Sequence, residues 1–268
     1  KVCRKSLPYA VLILLMAIYM RSDLLMLERL EGADKNSIYG QAYRVLDAVN
    51  MIAFLFAGML LPMFSRMIAQ GTALSQLDST TANIMLTASL ALLGFSIVYA
   101  GDILRLLYDE VDRELILIFC FVIGSFPAFC IMHIYSTLLT ANGNISLLIK
   151  IALTGSLISI GLNFILIHYC HVVGASITCF AVNWLLGGIY IYYCIRKFGL
   201  ITDWRRILKF ATVFILQTAL NVLLFQWQWP LQAAVPINMV VFLIIVYSIG
   251  LWDKKIIAGY LRQYKTAD

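Results

Sequence analysis

The chain has 268 residues, of which 62% are hydrophobic and only 13% charged, and its mean hydropathy is +0.89. Soluble domains are about 45–50% apolar and about 25% charged, so this composition excludes disorder, a nucleic-acid-binding domain and an ordinary cytosolic enzyme. The net charge of +6 would point to a polyanion in a soluble protein; in a membrane protein it reports cytoplasmic lysine and arginine instead.

About 20 apolar residues in a helix cross a bilayer core of about 30 Å. Eight stretches meet that length: 7–27, 38–63, 81–100, 115–138, 145–167, 173–194, 207–225 and 233–252. They are too long for strands and lack period-two alternation, so the expectation is an all-α, polytopic bundle of about eight transmembrane helices. The start, Lys1-Val2-Cys3-Arg4, has no initiator Met and reads as part of a longer protein. Residues 7–20 imitate a signal peptide, but Arg21 and Asp23 stand where a small-residue cleavage site belongs. The six cysteines (Cys3, Cys120, Cys130, Cys170, Cys179 and Cys194) form no CxxC pair and read as small packing residues.

Charge sets the expected topology. With the N-terminus cytoplasmic, the inner side carries Lys1, Arg4, Lys5, Arg66, Lys150, Arg196, Lys197, Arg205, Arg206, Lys209, Lys254, Lys255, Arg262 and Lys265. The outer side carries only Arg29, Lys35, Arg105 and Arg113, which predicts both termini inside. Asp102, Asp109, Glu110, Asp112 and Glu114 crowd one outer connection. Every connection is short and no GxxxxGK[ST] or GxGxxG loop occurs, which excludes an extramembrane catalytic domain or an ATP-driven pump within this chain. Trp204, Trp227, Trp229 and Trp252 mark span ends as an aromatic belt, with Trp184 the exception.

Two cations remain inside spans. Ionisable groups at the centre of a membrane helix cost at least about 2.5–3.5 kcal/mol each. The first span holds Arg21 and Asp23, the second Arg44 and Asp47. Taking the outer face near Leu30 and Ser37, the helical rise puts all four about 10–15 Å deep. Arg44 and Asp47 share a helix face, which Gly40, Tyr43, Asn50 and Phe54 extend. Arg21 and Asp23 are about 200° apart, so each needs a partner on another helix, and Asp23 is expected to neutralise Arg44. Two interpretations stand: a closed ion-pair network that fastens two helices, or a hydrated cavity whose arginines receive an anion.

Other polar marks are weaker. Pro127 is expected to kink the fourth span and free a backbone carbonyl, and Pro62 to do likewise near the inner end of the second; both are hinge candidates. Asn163, Ser159 and Gly155 read as a packing patch. His168 and His171, without a carboxylate nearby in sequence, read as interfacial anchors and not metal ligands. His133 reads as an interior histidine with its hydrogen bonds met. The run Asp109-Glu110-Val111-Asp112 reads as a solvated loop.

Several blocks resemble the polysaccharide flippases of the multidrug/oligosaccharidyl-lipid/polysaccharide exporter superfamily. They are Leu7-Pro8, Tyr19-Met20-Arg21-Ser22-Asp23-Leu24-Leu25-Met26-Leu27, Ser37-Ile38-Tyr39-Gly40-Gln41-Ala42-Tyr43-Arg44, Leu61-Pro62-Met63-Phe64-Ser65, and Asn163 followed by Gly174-Ala175-Ser176-Ile177-Thr178. The resemblance covers about residues 7–180. It implies that residues 1–200 are the C-terminal, six-helix lobe of a two-lobe carrier and that 201–268 add two helices and a cytoplasmic tail. It further implies a multi-pass protein of the bacterial cytoplasmic (inner) membrane. Such a carrier moves undecaprenyl-diphosphate-linked oligosaccharide from the cytoplasmic to the outer leaflet by alternating access. Its partners would be the anionic lipid-linked glycan, membrane lipids and an N-terminal lobe, with no nucleic acid, cofactor or metal. On this reading Arg21, Arg44, Tyr43 and Asn50 bind substrate, and Asp23 and Asp47 serve as counter-ions or ion-coupling groups. The alternatives are a cation-coupled multidrug antiporter of the same superfamily or, with less support, a membrane glycan polymerase or acyltransferase. The last would need a large outer loop or a catalytic His/Asp loop.

Overall fold

Apolar surface faces outward as well as inward in this molecule. Along α2 (Ala33–Gln70), Tyr39, Ala42, Tyr43, Leu46, Ala53 and Leu60 are buried at helical spacing, yet Met51, Ile52, Leu55 and Met59 are exposed. A helix that is hydrophobic all round belongs in lipid. The computed structural model describes residues 2–72, 74–200 and 204–251. Lys1, Trp252, Lys254, Lys255, Arg262 and Lys265 lie outside the described residues, as do the side chains of Cys3, Arg4, Lys5 and Leu7.

The described residues form helices and no strand: α1 (Val2–Glu31), α2, α3 (Ser75–Val98), α4 (Ala100–Leu107), α5 (Arg113–Gly124), α6 (Phe126–Ala141), α7 (Ile145–Phe198), α8 (Trp204–Gln226) and α9 (Leu231–Ser248). Seven stretches are long and apolar enough to cross a bilayer, α5 and α6 counting as one from Arg113 to Ala141. The chain is a multi-pass helical membrane protein.

Two reversals organise it. Gly32, with φ +92°, turns the chain between α1 and α2; a side chain resists that conformation. The second reversal lies within α7, whose 54 residues would run about 80 Å if straight. His171 breaks it with φ 50° and ψ −133°. The two arms, 145–170 and 172–198, fold back on each other. Lys197 Nζ donates to Asn144 Oδ1 at their far ends, and Gly155 faces Leu186 midway. Beside the turn, a Cβ on Gly174 would fall inside the Leu166 carbonyl.

The contacts give α1 and α8 a direction against their main neighbours. α1 runs parallel to the first arm of α7, through Ser156 to Leu15 and Asn163 to Asp23, and antiparallel to the second, through Tyr19 to Asn183. α8 runs parallel to α3, from Arg206 at Ser79 to Phe225 at Tyr99. Glu31 meets His171 at 2.8 Å and Lys35 meets Glu114 at 3.1 Å, so both reversals and the acidic connection before α5 share one end. Arg66, Lys150, Arg196, Lys197 and Arg206 gather at the other. There Arg206 donates to Asn83 Oδ1 and Ser79 O and lies 4.0 Å from Asp78, tying α8 to α3.

The expected kink at Pro127 is a break. α5 ends at Gly124 and α6 starts at Phe126, with Pro127 in its first turn, where a missing N–H costs least. The Gly124 carbonyl accepts from the Trp184 indole at 3.1 Å, which accounts for the one tryptophan placed away from a span end. By contrast, α2 continues through Pro62. In the acidic run, Asp112 caps α5 by accepting from Leu115 N at 2.7 Å.

Gly174→Ala is expected to destabilise the detergent-solubilised protein by about 1–3 kcal/mol through overpacking. Gly188→Ala, where no atom lies within 4 Å of the new methyl, is expected to leave the melting temperature unchanged. Thermal unfolding of both variants provides the check.

Candidate functional site

The site begins with a carboxylate turned away from the expected partner. Asp23 is 6% exposed and accepts only from neutral groups. Tyr39 Oη reaches its Oδ2 at 3.1 Å. Its Oδ1 receives Asn163 Nδ2 at 2.6 Å, Ser159 Oγ at 3.3 Å and Ser22 Oγ at 3.5 Å. The donors come from α1, α2 and the first arm of α7. The expected Asp23–Arg44 pair does not form, because Asp23 faces α7 and Arg44 faces the other side of α1. No cation lies within ion-pair distance of Asp23 among the described residues. Asn163 Oδ1 beside it is buried without a hydrogen-bond partner.

The same helical twist carries Arg21 out on the opposite side. It joins Arg44, Tyr43 and Asp47 in a cleft of about 510 Å³ between α1 and α2, which Glu28 and Tyr108 also line. Arg21 Nη2 lies 3.4 Å from Asp47 Oδ2, with the two side chains 55% and 39% exposed, and its guanidinium is 5.8 Å from the Tyr43 ring centroid. So exposed an ion pair stabilises by about 0–1 kcal/mol, too little to be what fastens α1 to α2. Arg44 is exposed and has no carboxylate within ion-pair distance among the described residues. The charges therefore form an open site and not a closed network. Three of the four deep charges meet in it, and Asp23 stands behind.

Asp47 also opens onto a second hollow, a trough of about 520 Å³ between α1, α2 and α6. Its walls are largely apolar, with Met16, Met51, Phe54, Leu61, Phe129 and Met132 among them. Ser136, Thr137 and Thr140 also line it, and one side-chain pair lies inside: His133 Nε2 and Asn50 Oδ1 are 2.9 Å apart, with Phe54 edge-on to the imidazole. Pro62 follows Leu61 at the far end of the trough, and Pro127 lies two residues before Phe129 in its wall. Arg21, Arg44, Tyr43, Asp47, Asn50 and Asp23 thus fall on the cleft, on the trough or on the cluster behind them, whereas Pro62 and Pro127 line neither hollow.

Sequence reasoning missed some members. Ser159 and Asn163, read as packing, hold Asp23, and Tyr39 completes the set. Their chain separation of up to 140 residues hid the connection, though the four-residue spacing of Ser159 and Asn163 already put both on one face. His133, read as an interior histidine with its hydrogen bonds met, pairs with Asn50. His171 acquires from α1 the carboxylate that its own neighbourhood lacks. Among the described residues no group of three His, Cys, Asp or Glu side chains could hold a metal ion, and Cys120, Cys130, Cys170, Cys179 and Cys194 are free thiols. No family model matches the chain, and no curated protein shows significant similarity to it.

Asp23→Ala is expected to cost about 1–3 kcal/mol by stranding the Tyr39 and Asn163 donors, whereas Asp23→Asn, which keeps one acceptor, costs less. Asp47→Asn, at a half-exposed position, changes stability by under about 0.5 kcal/mol. Melting temperatures in detergent rank the three.

Proposed function

We propose that this chain is the C-terminal portion of a two-lobe flippase that moves undecaprenyl-diphosphate-linked oligosaccharide from the cytoplasmic to the outer leaflet of a bacterial inner membrane. The observation that carries the proposal is the adjacency of two unlike hollows at Asp47, which lines both. A charged cleft with the unpaired Arg44 and the weakly held Arg21 adjoins an apolar trough. A diphosphate or acidic sugar on a long isoprenoid has that same polarity, and arginine binds phosphate in a bidentate fashion while staying charged.

Counting each arm of α7 as a crossing makes eight spans with both termini cytoplasmic, and the basic end of the bundle is then the inner end. Residues 1–200 form the lobe and 201–268 the added helices and tail. An N-terminal lobe would close the far wall of the cleft. Tyr43 and Asn50 contact substrate, Pro62 and Pro127 are hinges, and Arg21 exchanges Asp47 for the incoming anion. Asp23, a buried carboxylate facing neutral donors and the free Asn163 oxygen, suits ion coupling through a proton or small cation. The carrier does no covalent chemistry.

Asp23 also favours a second reading, a cation-coupled drug antiporter that admits apolar cations along the Phe54 and Met51 walls. Depletion of the protein separates the two. The flippase reading requires lipid-linked oligosaccharide to accumulate on the cytoplasmic leaflet. The antiporter reading requires Na⁺- or H⁺-dependent drug efflux to fall with glycans unchanged.

Arg21→Ala and Arg44→Ala are each expected to reduce outer-leaflet lipid-linked oligosaccharide at least about tenfold, a loss of about 1.4 kcal/mol or more in substrate interaction. Their membrane levels should be unchanged, and Arg44→Lys should restore only part of the activity. Normal glycan export in both alanine variants would defeat the assignment.

A further inference from the structure

We propose that the open cleft between the two arms of α7 binds one anionic glycerophospholipid, its headgroup phosphate held by Lys150 and Arg196 and an acyl chain laid along Gly188 and Leu185 toward Trp184. The inference depends on the membrane character of the chain and not on the flippase reading. This cleft shares no lining residue with the Arg21–Arg44 cleft or the trough.

Packing creates the hollow. The arms are drawn together behind it, where a Cβ on Gly155 would come within 2.7 Å of Leu186, and Gly187 packs against Ile131 and the Ala128 carbonyl. On the outward side, Gly188 has no atom within 4 Å of its missing Cβ. The result is a furrow of about 570 Å³, inside the roughly 300–1,000 Å³ of small-molecule sites. Ile151, Leu185 and Ile189 give it apolar sides. Trp184 spends its N–H on the Gly124 carbonyl and presents an apolar ring at the far end.

Charge selects the occupant. Lys150 lines the furrow, and Arg196 lies 5.2 Å over the ring of Tyr192, another lining residue. Neither cation has a carboxylate within ion-pair distance among the described residues. Lys197 next door is occupied by Asn144. The pairing of 144 with 197 and of 155 with 186 puts Lys150 level with residue 191, about 10 Å along the helix from Trp184. Cations at one end of an apolar furrow within a bilayer match a phosphate above an acyl chain, and basic pockets between membrane helices recruit anionic headgroups. A neutral, zwitterionic lipid fills the furrow equally well but gains less from the cations.

The full chain in phosphatidylcholine nanodiscs with rising fractions of phosphatidylglycerol, analysed by native mass spectrometry, tests the site. One retained phosphatidylglycerol per chain is expected. Lys150→Gln and Arg196→Gln should each weaken retention about fivefold, and Lys150→Arg should restore it. Gly188→Leu, which fills the furrow, should abolish retention of that lipid. Arg66→Gln, a cation at the same end outside the furrow, should have no effect. Equal retention of the two lipids, or an equal loss in Arg66→Gln, would overturn the proposal by reducing it to nonspecific attraction. Should Gly188→Leu fail to fold, the Lys150→Gln and Lys150→Arg pair decides alone.

Discussion

A carboxylate buried among neutral donors is the constraint from which the rest of this structure follows. Asp23 draws Tyr39 from α2, and Ser159 and Asn163 from the first arm of α7, onto two oxygen atoms. In an apolar medium a polar group without a partner costs several kcal/mol, so these contacts fix the rotation of α1 more firmly than apolar packing alone. With that rotation set, Arg21 two residues earlier must point to the other side. The side on which Arg21 enters the cleft is thus a consequence of how the carboxylate behind it is satisfied.

The α2 helix supplies the complementary half. Its stripe from Gly40 through Tyr43 and Asp47 to Asn50 and Phe54 passes from the charged cleft to the apolar trough. Asp47 belongs to both. Its pair with Arg21 is exposed enough to be exchanged, which a site must allow if charged cargo is to enter and leave. Behind the trough, the break at Ser125 lets α6 begin afresh with Pro127 in its first turn. The Trp184 indole takes up the Gly124 carbonyl, so the interruption leaves that buried acceptor satisfied.

Much was legible in the residues themselves. Hydropathy and length defined the helices, since a bilayer accepts no other continuous backbone from such a composition. Charge counting foresaw an acidic end and a basic end, and Glu31–His171 and Lys35–Glu114 contacts gather the acidic one. The energetic cost of Arg21, Arg44, Asp23 and Asp47 in a membrane singled them out before any geometry. Helical periodicity alone placed Arg44 with Asp47 and separated Arg21 from Asp23.

Pairing across helices was another matter. Asp23 was matched with Arg44 on opposite charge and similar depth, but the rotation of α1 against α7 gave it Asn163 instead. The sequence already separated 145–167 from 173–194, but how the two arms dock across the reversal at His171 set both the Asn163 donor for Asp23 and the furrow beneath Lys150. By itself the sequence determined that the chain lives in a membrane, which stretches are long and apolar enough to cross it, and which charged side chains are costly to place there. Tertiary structure alone decided which of those side chains meet. Depth and angular position are local consequences of helical rise and twist, whereas contact between residues 140 positions apart depends on how helices dock.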